Sequence, residues 1–255
     1  MKIATWNVNS IRKRLDRVIA WLAEHRPDVL CLQETKVEDS AFPRAEIEAA
    51  GYHVLCYGQR TYNGVALLGR EPFCDPVMGF GDGGDDGQAR FLVASVGDIK
   101  VGSVYVPNGQ AVGSEKFRYK LDWLSRWRRW LDANANPSSQ LVLCGDLNVA
   151  PDDRDVHDPL AWKDQILCHP DERAALAEVR GWGLTDAFRL HNQDAGHFTW
   201  WDYRQLAFPK NLGLRIDLVL CSARLAERSI SATIDRNSRK GKEPSDHAPV
   251  IAEFK

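Results

Sequence analysis

Phe91-Leu-Val-Ala-Ser-Val96, Gly97-Asp98 and Ile99-Lys-Val-Gly-Ser-Val-Tyr-Val106 read in succession as a strand, a two-residue turn and a second strand. Two β-branched runs joined by so short a turn can pair only antiparallel. This argues against a purely parallel, doubly wound sheet, because each of its strands must return through a helix-length crossover.

Outward from this hairpin, short apolar runs recur at Val29-Leu-Cys-Leu, His53 to Tyr57, Gly64 to Leu68, Leu141 to Cys144, Ile216 to Leu220 and Pro249 to Phe254. Their length and β-branched content predict strands. Helical spacing appears over Ile11 to His25, with Leu15, Val18, Ile19 and Leu22 on one face. It recurs over Glu115 to Leu131, with Phe117, Leu121, Leu124 and Trp127/Trp130 in step. Two packed mixed sheets with outer helices suit this order. The glycine-rich stretch Gly79 to Gly87 predicts a surface loop.

The 255 residues, 44% hydrophobic, suffice for one large core, and a single domain over residues 1–255 is the expectation. Lys+Arg (33) nearly balances Asp+Glu (35), so a net charge of −2 gives no global attraction to a polyanion. Binding to nucleic acid would then need a local basic surface or a bound cation. No apolar run resembles a signal peptide or a membrane span, which predicts a cytosolic protein with no membrane partner. The six cysteines form no Cys-x-x-Cys pair, and Cys31, Cys144 and Cys221 sit among Val and Leu; reduced structural thiols are expected, not zinc ligands.

Five segments place a carboxylate, amide or imidazole where an apolar strand begins or ends. Asn7 closes the opening strand, Glu34 follows Cys31-Leu-Gln, and Asp146 and Asn148 follow Leu141 to Cys144 with a spacing that keeps them on one side of extended chain. Asp217 stands inside the apolar run Ile216 to Leu220, where an unpaired carboxylate would be costly, so it needs a partner. His247 in Ser245-Asp246-His247 offers one, since a buried carboxylate fixes the tautomer and direction of an imidazole. Taken singly, each segment also admits a structural reading: a capping amide, a surface acid or a Gly-Asp turn. Asp, Glu and Asn oxygens suit a hard cation, Mg²⁺ with Mn²⁺ as a substitute, and point to phosphoryl chemistry.

Seven segments together resemble the exonuclease III family: Trp6-Asn7-Val8-Asn9-Ser10-Ile11, Leu32-Gln33-Glu34-Thr35-Lys36, Tyr105-Val-Pro-Asn-Gly109, Gly145-Asp-Leu-Asn148, Phe198-Thr-Trp-Trp-Asp-Tyr-Arg204, Gly213-Leu-Arg-Ile-Asp217 and Ser245-Asp-His-Ala-Pro249. The resemblance runs in order along essentially the whole chain. It implies a four-layered α/β sandwich of the endonuclease/exonuclease/phosphatase superfamily, acting on double-stranded DNA with abasic sites or blocked 3′ ends, as a monomer. The implied activities are abasic-site incision, 3′-5′ exonuclease and 3′-phosphatase or 3′-phosphodiesterase.

By matching motif, the resemblance gives Glu34 as principal metal carboxylate, with Asn7, Asp246, Asp146, Asn148 and His247 in the same metal set. It makes Asp146 and Asn148 the groups that activate and orient water, His247 supported by Asp217 the contact to the scissile phosphate, and Tyr105 a phosphate-reaching hydroxyl. Trp200, Leu214 and Ile216 match an apolar pocket for an extruded abasic sugar, while Asn108 and Arg204 are further substrate contacts. Arg12, Lys13, Arg14, Arg204, Lys210, Arg215, Arg236, Arg239, Lys240 and Lys242 flank these segments and are candidates for a phosphate-binding rim. Other superfamily branches share the Glu, Asp-x-Asn and Asp-His elements, including DNase-I-like nucleases, inositol-phosphate phosphatases and sphingomyelinases. The Tyr105 and Phe198 segments favour the DNA-repair branch. A catalytically dead nucleic-acid-binding relative is the other reading, which the complete set of polar residues opposes.

Overall fold

A computed structural model describes residues 1–84 and 87–255. Part of the predicted Gly79 to Gly87 loop, residues 85 and 86, lies outside the described residues; positions 81–84 are exposed.

The strands are β1 (Lys2–Asn7), β2 (Val29–Gln33), β3 (His53–Tyr57), β4 (Val65–Gly69), β5 (Cys74–Met78), β6 (Phe91–Val96), β7 (Ile99–Tyr105), β8 (Leu141–Asp146), β9 (Leu184–Asp186), β10 (Asp217–Ser222), β11 (Ser229–Ile234) and β12 (Val250–Phe254). The helices are α1 (Ile11–His25), α2 (Arg44–Ala49), α3 (Glu115–Asn134), α4 (Pro159–Trp162), α5 (Pro170–Arg180), α6 (Ala187–His191) and α7 (Ala223–Ala226). They form two six-stranded sheets, in the orders β11-β12-β1-β2-β4-β3 and β5-β6-β7-β8-β10-β9. The Phe91 to Tyr105 hairpin is antiparallel, as its turn requires. Each sheet holds one parallel pair, β1 with β2 and β7 with β8, and each of those crossovers carries a long helix, α1 or α3.

Alternation along the strands divides the core. Ile3, Cys31, Leu67, Leu92, Val101, Cys144, Val219 and Cys221 meet between the sheets. Ala4, Leu30 and Leu32 point the other way, toward Val18, Trp21 and Leu22 of α1, while Val93, Leu141 and Leu143 meet Trp123, Leu124 and Trp127 of α3. Both faces of the central strands are covered, which is why their sequences are continuous apolar runs and not alternating ones. The result is the expected helix–sheet–sheet–helix sandwich.

Several details differ from the sequence reading. The buried face of α1 comprises Ile11, Arg14, Val18, Trp21 and Leu22, with Leu15 and Ile19 only half-buried at its margin. The strands β5, β9 and β11 and the helix α5 were not predicted. All of β5 is exposed and includes Pro76, β9 has 3 residues, and β11 lies at a sheet edge, so none carries a buried run. Gly145 belongs to strand β8 and not to a turn: a Cβ there would stand 1.8 Å from the Val104 carbonyl oxygen, so only glycine lets β7 and β8 pair at this point.

Candidate active site

The ends of both parallel strand pairs open on the same edge of the sandwich. Asn7 ends β1, Glu34 follows β2, Tyr105 ends β7 and Asp146 ends β8, while antiparallel β10 begins there with Asp217. Strand register fixes three of these groups: Tyr105 pairs with Asp146 across β7 and β8, and Asp217 pairs with Asp146 across β10 and β8. His247 arrives on the segment before β12, whose start is stitched to β1. The Ser245 hydroxyl donates to the Asn7 carbonyl at 2.6 Å, and the Trp6 indole donates to the His247 carbonyl at 3.2 Å.

The two sheets meet chemically at Asn7. Its amide donates to Glu34 Oε1 at 2.9 Å and to Asp146 Oδ2 at 2.9 Å, spanning the gap between a carboxylate of each sheet. The Tyr105 hydroxyl donates to Glu34 Oε1 at 2.9 Å. Asn148 donates its backbone N–H to Asp146 Oδ1 at 3.0 Å and its side-chain amide to Asp146 Oδ2 at 3.3 Å and the Val106 carbonyl at 3.0 Å. The Asn108 amide donates in turn to Asn148 Oδ1 at 3.1 Å. His247 Nδ1 lies 2.8 Å from Asp217 Oδ2, which leaves Nε2 facing the site, 3.8 Å from Asp146 Oδ2.

Asp246 joins by a second route. It accepts from the Asn9 amide at 2.9 Å and the Trp200 indole at 3.1 Å, and Asn9 Oδ1 accepts from Lys36, which also sits 2.7 Å from Glu34 Oε2. Asn9 and Lys36 were not assigned roles from sequence, although Asn7-x-Asn9 repeats the spacing of Asp146-x-Asn148. Asn9, Glu34, Lys36 and Asn148 all take left-handed backbone, with φ between 45° and 56°. Such strain costs on the order of 1 kcal/mol or more per residue and gathers at functional sites.

Burial and crowding perturb the titration of the cluster. Burial raises the Asp146 carboxyl to about 7; His247 opposes that rise, while Asp217 and Glu34 add to it. Burial disfavours the charged imidazole of His247, yet Asp217 and Asp146 outweigh it and push it up to about 10. Burial also acts against ionised Glu34, but Lys36 and Asn7 hold its carboxyl below the usual range. Burial, then Glu34 and Asp146, raise the Tyr105 phenol well above its ordinary value.

The donor set fits a hard divalent cation. Among the described residues, the Glu34 and Asp146 carboxylates lie within 4.8 Å of each other, beside His247, close enough for one cation to bridge them. Asp246 lies outside that trio and connects to it through Asn9 and Lys36.

The match to known proteins agrees with this geometry. The model of the Endonuclease/Exonuclease/phosphatase family matches residues 4–247. The chain belongs to that family. It is 36% identical to exodeoxyribonuclease III of Haemophilus influenzae over the full length of both chains. An AP endonuclease from Archaeoglobus fulgidus superimposes with a TM-score of 0.96 at 41% identity, covering 100% of this chain and 99% of that one. The 3′ phosphatase NExo from Neisseria, solved with a product DNA hairpin, gives a TM-score of 0.96 at 40% identity with the same coverage. The fold expected from the sequence is thus the fold of its family.

Around this family site the remaining sequence candidates separate. Trp200 is half-buried beside Asp246, whereas Leu214 and Ile216 are buried behind it in a cluster with Ala150, Val156, Leu167 and Cys168. Arg204 is exposed on the loop after Trp201. Three members of the expected basic rim are not rim residues. Arg215 is buried between Asp155 at 2.6 Å and Asp186 at 2.8 Å, Arg14 bonds the Asn9 and Pro244 carbonyls, and Arg239 bonds the Trp201 carbonyl. A buried guanidinium must be paired, and these pairings pin loops instead of meeting solvent. Among the described residues no helix is long and apolar enough to cross a membrane.

Proposed function

We propose that this chain is a Mg²⁺-dependent DNA repair nuclease that hydrolyses the backbone 5′ to an abasic site and also processes blocked or extending 3′ ends on duplex DNA. The observation that carries this reading is the Asn7 bridge between Glu34 and Asp146, with His247 held by Asp217 opposite. It supports this reading because two carboxylates and an imidazole stand close enough together to serve one phosphodiester as cation site, base and phosphate donor.

Glu34 and Asp146 would hold the cation, with Asn7, Asn148, Asp246 and His247 around it; bound there, Mg²⁺ or Mn²⁺ supplies Lewis-acid neutralisation of phosphoryl charge. Asp146 takes a proton from water, and Asn148 orients the oxygen for in-line attack on phosphorus. The water oxygen's bond to phosphorus forms as the bond to the 3′ oxygen breaks, and the departing 3′ oxygen takes a proton from solvent, which leaves a 3′-hydroxyl and a 5′-sugar phosphate. His247 presents Nε2–H to a non-bridging oxygen, and the Tyr105 hydroxyl reaches another, so donors are already aimed where charge develops. Trp200 offers the accessible wall of the pocket for a sugar without its base, with Leu214 and Ile216 behind it. Asn108 and Arg204 contact the DNA backbone. The chain acts as one domain and one monomer, in the reducing cytosol that its free cysteines suit.

The NExo likeness favours a second reading within the same chemistry: specialisation on 3′ ends with weak abasic incision. One experiment tests both. Rates are compared on an internal abasic site, a 3′-phosphate and an undamaged recessed 3′ end, with and without chelator. Fastest chelator-sensitive incision at the abasic site is expected; fast 3′-phosphate release alone selects the second reading, and failure on all three overturns both.

A further inference from the structure

Lys120 projects from the second turn of α3 into the protein and is fully buried, with its carboxylate partner Glu172 of α5 equally buried. An ammonium has three donors. All are used: one on Glu172, one on the Asn148 carbonyl at 2.6 Å and one on the Asn108 carbonyl at 3.2 Å. The two carbonyls belong to the two asparagines whose side chains are bonded to each other beside Asp146. The Lys120 stem also lies under the Asn108-Gly109 turn, where a Cβ on Gly109 would come within 3.1 Å of Lys120 Cδ. Glu172 is fixed as firmly, since its other oxygen accepts the His169 N–H at 2.9 Å in the capping box that starts α5.

A buried ion pair adds little net stability over a well-packed apolar pair, so tying α3 to α5 does not explain why charge is placed here. An apolar side chain at 120 would leave the Asn108 and Asn148 carbonyls without the donor they share. We infer that Lys120, held by Glu172, is a positioning residue of the active site: its ammonium sets the separation of the Asn108 and Asn148 loops and so aims the Asn148 amide at Asp146 and the attacking water. The inference rests on the nuclease reading only for its kinetic consequence; the loop geometry it concerns is independent of any substrate.

The test compares wild-type protein with Lys120→Met, Glu172→Gln and the charge-free double variant Lys120→Met/Glu172→Met. Melting temperature, kcat and KM on an abasic duplex, and the side-chain amide resonances of Asn108 and Asn148 without metal or DNA are measured. The double variant should fold, melt higher than Lys120→Met, and lose about 10-fold or more in kcat with KM little changed, as loss of outer-shell support does. The Asn148 amide resonance should move in all three variants. A double variant with wild-type kcat and unmoved Asn108 and Asn148 amides overturns the inference. If the double variant does not fold, Glu172→Gln decides by the same amide and kcat readings. Wild-type protein inactive on every DNA would overturn the nuclease reading alone, because the amide measurement still judges the pair.

Discussion

Asp217 and Asp146 occupy directly opposed positions on adjacent antiparallel strands, and His247 serves both, with Nδ1 2.8 Å from Asp217 and Nε2 3.8 Å from Asp146. The backbone register thus places two carboxylates on either side of one imidazole. Asp217→Asn keeps the shape but removes the charge that holds His247 protonated and oriented. The variant should fold and lose ~10–100-fold in kcat, the usual scale for a supporting partner. Wild-type turnover in steady-state incision by the folded variant would sink the assigned role.

Asp146 is assigned the proton-accepting step, so Asp146→Asn should cost far more. General-base catalysis contributes ~10²–10⁴-fold, and a loss of that size in kcat is expected. Stability should hold or improve, because the substitution removes a buried carboxyl crowded by Asp217 and Glu34. The measurements are single-turnover cleavage and a urea melt; near-normal cleavage would remove Asp146 from the mechanism.

Glu34 is anchored by Asn7, Tyr105 and Lys36, and in the proposed mechanism it is the principal carboxylate for the cation. In Glu34→Gln the Mg²⁺ concentration for half-maximal activity should rise ~10–100-fold, with much of the lost rate recovered at high Mg²⁺. Titrating activity with Mg²⁺ checks this, and an unchanged midpoint would contradict it.

Much of this site could be read from sequence because its residues sit where apolar strands end, and strand ends in both sheets converge on one edge. The need of Asp217 for a partner followed from its apolar neighbours alone, and the structure supplies His247 at 2.8 Å. What escaped depends on contacts between distant segments. Lys120 lies on the same stripe as Phe117, Leu124 and Trp127, and a cation in that register was the available signal, yet only the packing of α5 against α3 shows its carboxylate. Arg215 read as a rim cation because Asp155 and Asp186 are far away in sequence. The edge strands β5 and β11 lack buried runs, so periodicity had nothing to detect.

The cysteines give a test of the fold that is independent of function. Cys74 is exposed on β5, while Cys31, Cys56, Cys144, Cys168 and Cys221 are buried. Burial pushes the Cys56 thiol up to about 11 and those of Cys168 and Cys221 up to about 12, further suppressing reactive thiolate. Native protein should therefore react at one thiol on the minutes scale, and at all six after unfolding in denaturant without reductant. Two or more fast native thiols, or fewer than six after unfolding, would contradict the placement.

The same crowding at the site gives stability a defined pH dependence in the metal-free protein. His247 rises from an ordinary 6.5 to about 10, because Asp217 and Asp146 overcome the burial that opposes its charge. A folded value above the unfolded one stabilises wherever the group is protonated in both states and stops doing so once both are neutral. The contribution is therefore fully present below pH 6.5 and is lost as the pH climbs through about 10. Asp146 has the opposite sign: its carboxyl, raised by burial to about 7, costs stability that grows as the pH rises from its ordinary 3.8 to that value. His247→Asn should accordingly be destabilised most relative to wild type at pH 6, less at pH 8 and least near pH 10, as read by urea denaturation in the presence of chelator. A difference independent of pH would mean that His247 is not held as an imidazolium by Asp217.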